Sequence, residues 1–404
     1  MSAGSATREL AVVTGLGSVT ALGDSVEQFC NGLVAGRTGI APISGFSREF
    51  LRNQCAGEIR LSPRMIDYAS TRKISSRLGL FARLGMEEAL QRSGLPDEAL
   101  RAKKVGLVLG VSCGMALVQR GIAEVGESAG VPEAAFDDLS DFAGELADQL
   151  GLRGEAFTVS TACAAGTNAI GIAADMILLD GYDAVLCGGV DTLDRMKYLG
   201  HSALNTLTPT SIRPFAAERD GTIFGEGAGL LLLESSRNLN GRAPLAVCAG
   251  SGFSCDAHHV TAPDPAGAGA IHAIREALRD AHLKPSDINY INLHGSGTPH
   301  NDAVECRAIA EIFEDAVPSI PVSSIKAALG HTMGAAGGCE AVATVLSIVH
   351  QQVPPTVNTR IKDPAFSVQL VCGEAIEWKI NHALSNSFGF GGCNGTVVFS
   401  KWTS

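Results

Sequence analysis

Aromatic residues are scarce in this 404-residue chain: 15 Phe, 4 Tyr and 2 Trp make up 5% of it. Charged residues are also few, 18% against 46% hydrophobic. So apolar a balance excludes a disordered chain and requires a large core. Positive charge is in deficit, with 31 Lys and Arg against 42 Asp and Glu and a net charge of −11, which argues against a nucleic-acid binder. No CxxC pair occurs, so a zinc ribbon is not expected. The 11 cysteines are scattered, mostly in apolar stretches. They read as small reduced core residues of a cytoplasmic protein rather than a disulfide framework. No apolar run reaches the roughly 20 residues of a membrane span. His331 and Glu340 interrupt the longest candidate, 327–349. The stretch 10–23 mimics a signal-peptide core, but its three glycines, two threonines and serine favour a strand and turn.

Glycine is in surplus: 47 residues, where ordinary usage gives roughly 28. Tight turns and close backbone approaches suit a packed α/β protein. Short apolar runs predict strands at Ala11–Thr14, Val105–Gly110, Phe157–Ser160, Ala184–Gly188 and Gly229–Glu234. Further strands are predicted at Ala246–Gly250, Tyr290–Leu293, Pro321–Ser323, Ala383–Asn386 and Thr396–Ser400. Helical periodicity covers Leu78–Arg92, Asn168–Leu179, Gly269–Ala281, Asp302–Phe313 and Ala335–Val349. Strands alternating with helices predict α/β layers around a buried sheet. A polar join near residues 238–245 divides the chain into two similar halves, 1–240 and 241–404.

Four segments carry chemistry. In Val159-Ser-Thr-Ala-Cys163-Ala-Ala-Gly166, a strand runs into small residues and a helix starts at the cysteine. The helix dipole there favours thiolate and lowers the thiol pKa. On its own, Cys163 reads equally as a nucleophile and as a buried cysteine. In His294-Gly-Ser-Gly-Thr298-Pro, a histidine ends a strand before two glycines and two hydroxyls. A turn histidine satisfied by hydrogen bonds is the plain alternative. Lys326 and His331 stand five residues apart before a small-residue helix start that contains Glu340. Asn386-Ser-Phe-Gly-Phe390-Gly-Gly brings backbone N–H groups close to a ligand or makes a tight connection between strands.

Together these segments resemble the β-ketoacyl-acyl carrier protein synthases, condensing enzymes of thiolase-like fold. The likeness runs from Val13-Thr-Gly-Leu-Gly17 to the end of the chain. It includes Arg213-Pro-Phe215, Arg219-Asp-Gly221, Gly225-Glu-Gly-Ala-Gly229 and Asp256-Ala-His-His259. The resemblance implies two βαβ-type halves layered α/β/α/β/α, and decarboxylative Claisen condensation of an acyl-enzyme with malonyl-carrier protein. Cys163 would carry the acyl thioester. His294 and His331 would bind the malonyl thioester and assist decarboxylation, with Lys326 orienting His331 and Glu340 in support. Backbone N–H groups of Cys163 and Phe390 would form an oxyanion hole, and the Phe390 ring would gate the acyl pocket. Ser296 and Thr298 would bind the pantetheine arm. No metal or organic cofactor is implied, since the carrier's phosphopantetheine delivers both substrates. The expected partners are acyl carrier protein and a second subunit, identical or homologous.

Three positions depart from the family pattern. Ser296 stands for a usual threonine, Ala216 for a frequent aspartate, and Cys113 for a larger aliphatic residue at the acyl pocket. The stretch 113–163 is also short, which points to a specialised polyene or polyketide chain length. Between residues 48 and 83, eight cations stand against three anions, a net of +5 in an acidic chain. Arg72, Lys73 and Arg77 are the predicted docking residues for an acidic carrier. Rival readings are a thiolase using coenzyme A thioesters, a silent chain-length-factor subunit, and a cysteine hydrolase. The paired histidines disfavour the first, the intact cysteine the second, and the Lys326–His331 motif the third.

Overall fold

The computed structural model describes residues 9–74, 76–112, 117–118, 136–137 and 139–403. Its first half runs β1 (Ala11–Val19), α1 (Pro63–Arg72), α2 (Arg77–Ser93), β2 (Val105–Gly110), α3 (Leu139–Leu150), β3 (Ala156–Val159), α4 (Ala165–Leu178), β4 (Ala184–Asp191), α5 (Arg195–Ala203) and β5 (Gly227–Ser235). Its second half runs β6 (Ala246–Cys255), α6 (Ala268–Asp280), β7 (Tyr290–Asn292), α7 (Pro299–Phe313), β8 (Pro321–Ser323), α8 (Ala336–His350), β9 (Gln369–Leu370), β10 (His382–Phe388) and β11 (Cys393–Ser400). The strands join in one 11-stranded sheet, ordered β9-β8-β7-β10-β11-β6-β1-β5-β4-β2-β3.

The order repeats outward from the centre. In the first half β5 is antiparallel to β1 and β4, and β4, β2 and β3 are parallel. In the second half β11 is antiparallel to β6 and β10, and β10, β7 and β8 are parallel. The halves meet through a short antiparallel pairing of β1 with β6, Ala11–Val13 against Ala246–Cys248.

Leucines in β5 show why these strands read as continuous apolar runs. Leu231 and Leu233 face an inner core, while Leu230 and Leu232 face an outer one. A strand covered on both faces has no polar side, so alternation disappears from the sequence. The inner core holds α4 and α8, which touch each other and the strands of both halves. Outside, α2 packs on β1 and β5, α3 on β3, and α6 on β6 and β11. This is the α/β/α/β/α layering implied by the resemblance.

Glycine sets the spacing of the two central helices. A Cβ on Gly166 would lie 2.7 Å from the Gly338 nitrogen, and one on Gly337 would lie 2.2 Å from Thr167 Oγ1. The long apolar stretch 327–349 resolves into this packing: Met333–His350 is long and apolar enough to cross a membrane, but 89% of it is buried inside the protein.

Among the elements named, α1, α3, α5 and β9 were not foreseen, and neither was a helix at Val26–Val34. Helix α1 starts at Pro63 behind an Ser62 cap whose side chain accepts from Met65 N–H, and it ends at Lys73 in the left-handed region. Its polar length hid it from an apolar-period search. Arg72 and Lys73 therefore end α1 rather than lead into α2, and both are exposed. Arg77 is different. Its guanidinium is buried against the Glu226 carboxylate and the Ile59 carbonyl, so it is not a docking residue. Arg83 is buried as well. Two of the eight cations in the basic window are thus internal.

Candidate active site

Strand β3 ends at Val159, and the chain turns through Ala162 at φ 50°, a left-handed conformation unusual for a residue with a Cβ. A single 3-10 turn, Ala162–Ala164, leads into α4 and aims Cys163 into a cavity of about 610 Å³. His201, His294, Ser296, Thr298, His331 and Phe390 also line that cavity.

His331 Nε2 lies 3.1 Å from Cys163 Sγ. On the far side of the ring, Nδ1 accepts from the Met333 N–H at 3.1 Å. That donor fixes the tautomer: Nδ1 is bare and Nε2 carries the hydrogen. His294 is held in the same sense. Lys326 Nζ donates to His294 Nδ1 at 3.2 Å and to the His294 carbonyl at 2.6 Å. The two imidazoles stand edge to face, 5.3 Å apart at 81°. Burial, reinforced by the Lys326 charge, holds both well below the ordinary histidine pKa. Both are neutral N–H donors at neutral pH.

Lys326 and Glu340 form a buried ion pair. Burial pushes the Glu340 carboxyl up to about 7, with the Lys326 ammonium working against it. The other Glu340 oxygen accepts from Ser387 Oγ at 3.3 Å, and Ser387 reaches Thr167 at 2.7 Å. Lys326 therefore touches His294, not His331 as expected from their shared motif.

Cys163 departs from the helix-dipole expectation. Burial pushes its thiol up to about 11, while the Lys326 charge and a hydrogen bond from the Phe390 N–H act downward. Gly389 packs closely beside it: a Cβ there would lie 3.1 Å from the Cys163 nitrogen. The Phe390 ring stacks on His201, centroids 5.4 Å apart at 23°. Ser296 and Thr298 hydroxyls meet at 2.9 Å on the cavity wall. Cys113 lies outside the described residues.

Several supporting groups escaped the sequence reading. Glu305 accepts from the His294 and Gly295 N–H groups, each at 2.8 Å, and so fixes the turn that presents His294. Asp302, one helical turn earlier, accepts from the Phe215 N–H at 2.8 Å and the Gly297 N–H at 3.2 Å. It ties the Arg213-Pro-Phe215 motif to the histidine loop. The available signal was two acids three apart at the start of a helix, on one face. Asp191 accepts from the Ser112 and Gly334 N–H groups and from Lys197, joining β4 to the turn before α8.

The sequence profile of the β-ketoacyl synthase N-terminal domain matches residues 9–238, and that of the C-terminal domain matches residues 245–360. A 3-oxoacyl-[acyl-carrier-protein] synthase 2 of Synechocystis is 36% identical, over 97% of this chain and 98% of the relative. One from Coxiella burnetii is 35% identical, over 96% and 98%. Among solved structures, the ishigamide ketosynthase/chain length factor superposes with a TM-score of 0.86 at 30% identity, covering 98% of this chain and all of that one. A ketosynthase from Xenorhabdus doucetiae, in complex with its chain length factor, superposes at 0.81 with 31% identity, covering both chains fully. A type II polyketide synthase acyl-carrier protein in complex with its ketosynthase gives 0.86 at 28% identity, covering 98% of this chain and all of that one. With two profiles spanning most of its length and relatives matched end to end, the chain belongs to the β-ketoacyl synthase family.

Proposed function

We propose that this condensing enzyme extends an acyl chain held on Cys163 by two carbons taken from malonyl-acyl carrier protein, and that the residues divide the work as follows. The observation that carries the reading is the fixed tautomer of two neutral histidines beside one thiol. Cys163 attacks the acyl thioester of a carrier protein; the departing pantetheine sulfur takes the proton, and the acyl group stays on Sγ. The Cys163 and Phe390 N–H groups stabilise the tetrahedral oxyanion. The malonyl thioester then enters, and Nε2–H of His294 and of His331 donate to its carbonyl oxygen. Loss of carbon dioxide leaves an enolate held by those two donors. The enolate carbon attacks the acyl carbonyl, a C–C bond forms, and Cys163 leaves as thiolate.

Lys326 holds His294 in its donor tautomer, and Glu340 keeps Lys326 in place. Ser296 and Thr298 bind the pantetheine amides, and Phe390 admits the acyl chain by swinging off His201. No metal or organic cofactor takes part. The partners are acyl carrier protein and a second ketosynthase-type subunit, consistent with the chain-length-factor complexes among the structural relatives. The protein works in the cytoplasm. Incubation with acyl-carrier protein followed by intact-mass measurement tests the reading. An acyl adduct on Cys163 that disappears on addition of malonyl-carrier protein, with carbon dioxide released, is the expected result. Condensation at an undiminished rate by Cys163→Ala overturns it.

A further inference from the structure

Away from Cys163, two other thiols stand face to face. Cys255 ends β6 and Cys393 begins β11, and the two are partners in the antiparallel register. The Asp256 N–H donates to the Gly392 carbonyl at 2.9 Å, one residue further along each strand. The cysteines therefore occupy a non-hydrogen-bonded position, where facing Cα atoms approach to about 4.5 Å and side chains are closest. That separation lies within the range of about 4.4–6.8 Å that a disulfide accepts. Both are free thiols, Cys255 exposed and Cys393 half-buried.

The pair adjoins the loop that carries Phe390. Cys393 follows Phe390 by three residues, and its carbonyl accepts from the Gly389 N–H at 2.7 Å. Cys255 Sγ lies 3.7 Å from the Gly391 carbonyl, and the Gly391 N–H donates to Val260 at 2.8 Å. Gly391 and Gly392 both sit in the left-handed region, φ 80° and 75°, which glycine adopts without strain.

We propose that Cys255 and Cys393 are a redox modification site: oxidised by a peroxide, they close a cross-strand disulfide that pins the Gly389–Gly392 loop and slows turnover. The exposed Cys255 thiol, giving up its proton, attacks a peroxide oxygen; a sulfenic acid forms and the other peroxide oxygen leaves as water. Cys393 then displaces the sulfenic oxygen as water and forms the S–S bond. In sum two thiols lose two hydrogens and one hydrogen peroxide becomes two waters. Cys255 is the exposed sulfur of the two and so the one a peroxide reaches, while burial pushes the half-buried Cys393 thiol up. Formation of the bond rests on geometry alone; its effect on turnover rests on the gating role proposed for Phe390.

The full chain, its Cys163 first loaded with an acyl group, is treated with hydrogen peroxide, alkylated, and digested without reductant. The expected products are Cys255 and Cys393 peptides joined to each other and separated by dithiothreitol. After the loaded acyl group has been condensed away, reacylation of Cys163 from acyl-carrier protein should be about tenfold slower than in untreated enzyme and recover with dithiothreitol, as a blocked gate predicts. Cys255→Ser should show neither change. Absence of the joined peptides, an unchanged rate in the cross-linked enzyme, or an equal loss in Cys255→Ser each overturns the proposal. Failure to load Cys163 at all would instead refute the acyl-enzyme reading, while the joined peptides would still form.

Discussion

At the scale of single residues, the site works through hydrogen positions. His331 takes its tautomer from a backbone donor at Met333, and His294 takes its own from Lys326. His331→Ala removes one enolate donor and should lower carbon dioxide release by about 10²–10³, while acylation of Cys163 persists. Single-turnover labelling beside carbon dioxide capture measures the two steps separately. The depressed histidine pKa values give a second prediction. Nitrogen-15 shifts of both rings should remain those of the Nε2–H tautomer as pH falls through 6.5, the ordinary histidine value. A titration centred there would contradict the neutral-donor assignment. The linked stability has a definite sign: the unfolded chain binds more protons below about 6.5, so this contribution is complete above that pH and is lost as pH falls. Small-residue motifs marked Cys163, His294, Lys326 and His331 as candidates, but each also had a plain structural reading, and it was the family resemblance that gave them roles. Glu305 and Asp302 were not, since a carboxylate that accepts only backbone N–H bonds looks like any acid on a helix.

At the scale of elements, β2 and β8 were legible to the residue, and the remaining sheet strands foreseen differ only at their ends. Apolar runs bounded by glycine and polar residues announce buried strands well. The ends extend because hydrogen-bonded pairing continues past the apolar run, as in β6, where Ser251–Cys255 still pair with β11. Helix α1 was missed because only Met65 and Ala69 of its ten residues are buried. Between α4 and α8 the contact is backbone to backbone. Gly337→Ala should therefore cost about 1–3 kcal/mol through overpacking, read as a lower midpoint in urea with an unchanged slope. The Lys326–Glu340 pair links a short helix to α8. Lys326→Ala leaves Glu340 buried without its cation and should destabilise the fold by about 3–5 kcal/mol. Lys326→Ala, Glu340→Gln should recover part of that stability, but not decarboxylation, because His294 still lacks its donor. Equal recovery of both would make Lys326 purely structural.

At the scale of the whole molecule, the repeat of strand order was foreseen only as two similar halves. Sequence carries no trace of the sheet passing unbroken from one half to the other, since three residue pairs make that join. Net charge was legible but its distribution was not. Arg77 and Arg83 counted as surface cations until the fold placed them inside. The exposed remainder includes Arg72, which also approaches Glu87 at 3.6 Å, and Lys73. Arg72→Glu, Lys73→Glu should raise the apparent KM for carrier-bound substrate and leave turnover of a small pantetheine thioester nearly intact, because surface charge acts on encounter rate. The difference should shrink with added salt. Parallel losses on both substrates would place these residues in folding instead.

The turn that presents Cys163 has a twin. Met333, at φ 52°, opens a 3-10 turn over Met333–Ala335 and leads into α8, just as Ala162, at φ 50°, leads into α4. Gly334 is the counterpart of Cys163. A Cβ there would lie 2.3 Å from the Ser112 nitrogen and 2.5 Å from the Val111 carbonyl carbon. The first half has filled the space that a second nucleophile would need, and the vacated turn spends its N–H on a histidine instead. The two matching turns thus carry different work, one a nucleophile and the other a backbone donor. A single substitution at Gly334 cannot make the second turn a second nucleophile, because any side chain there meets the Val111–Ser112 backbone.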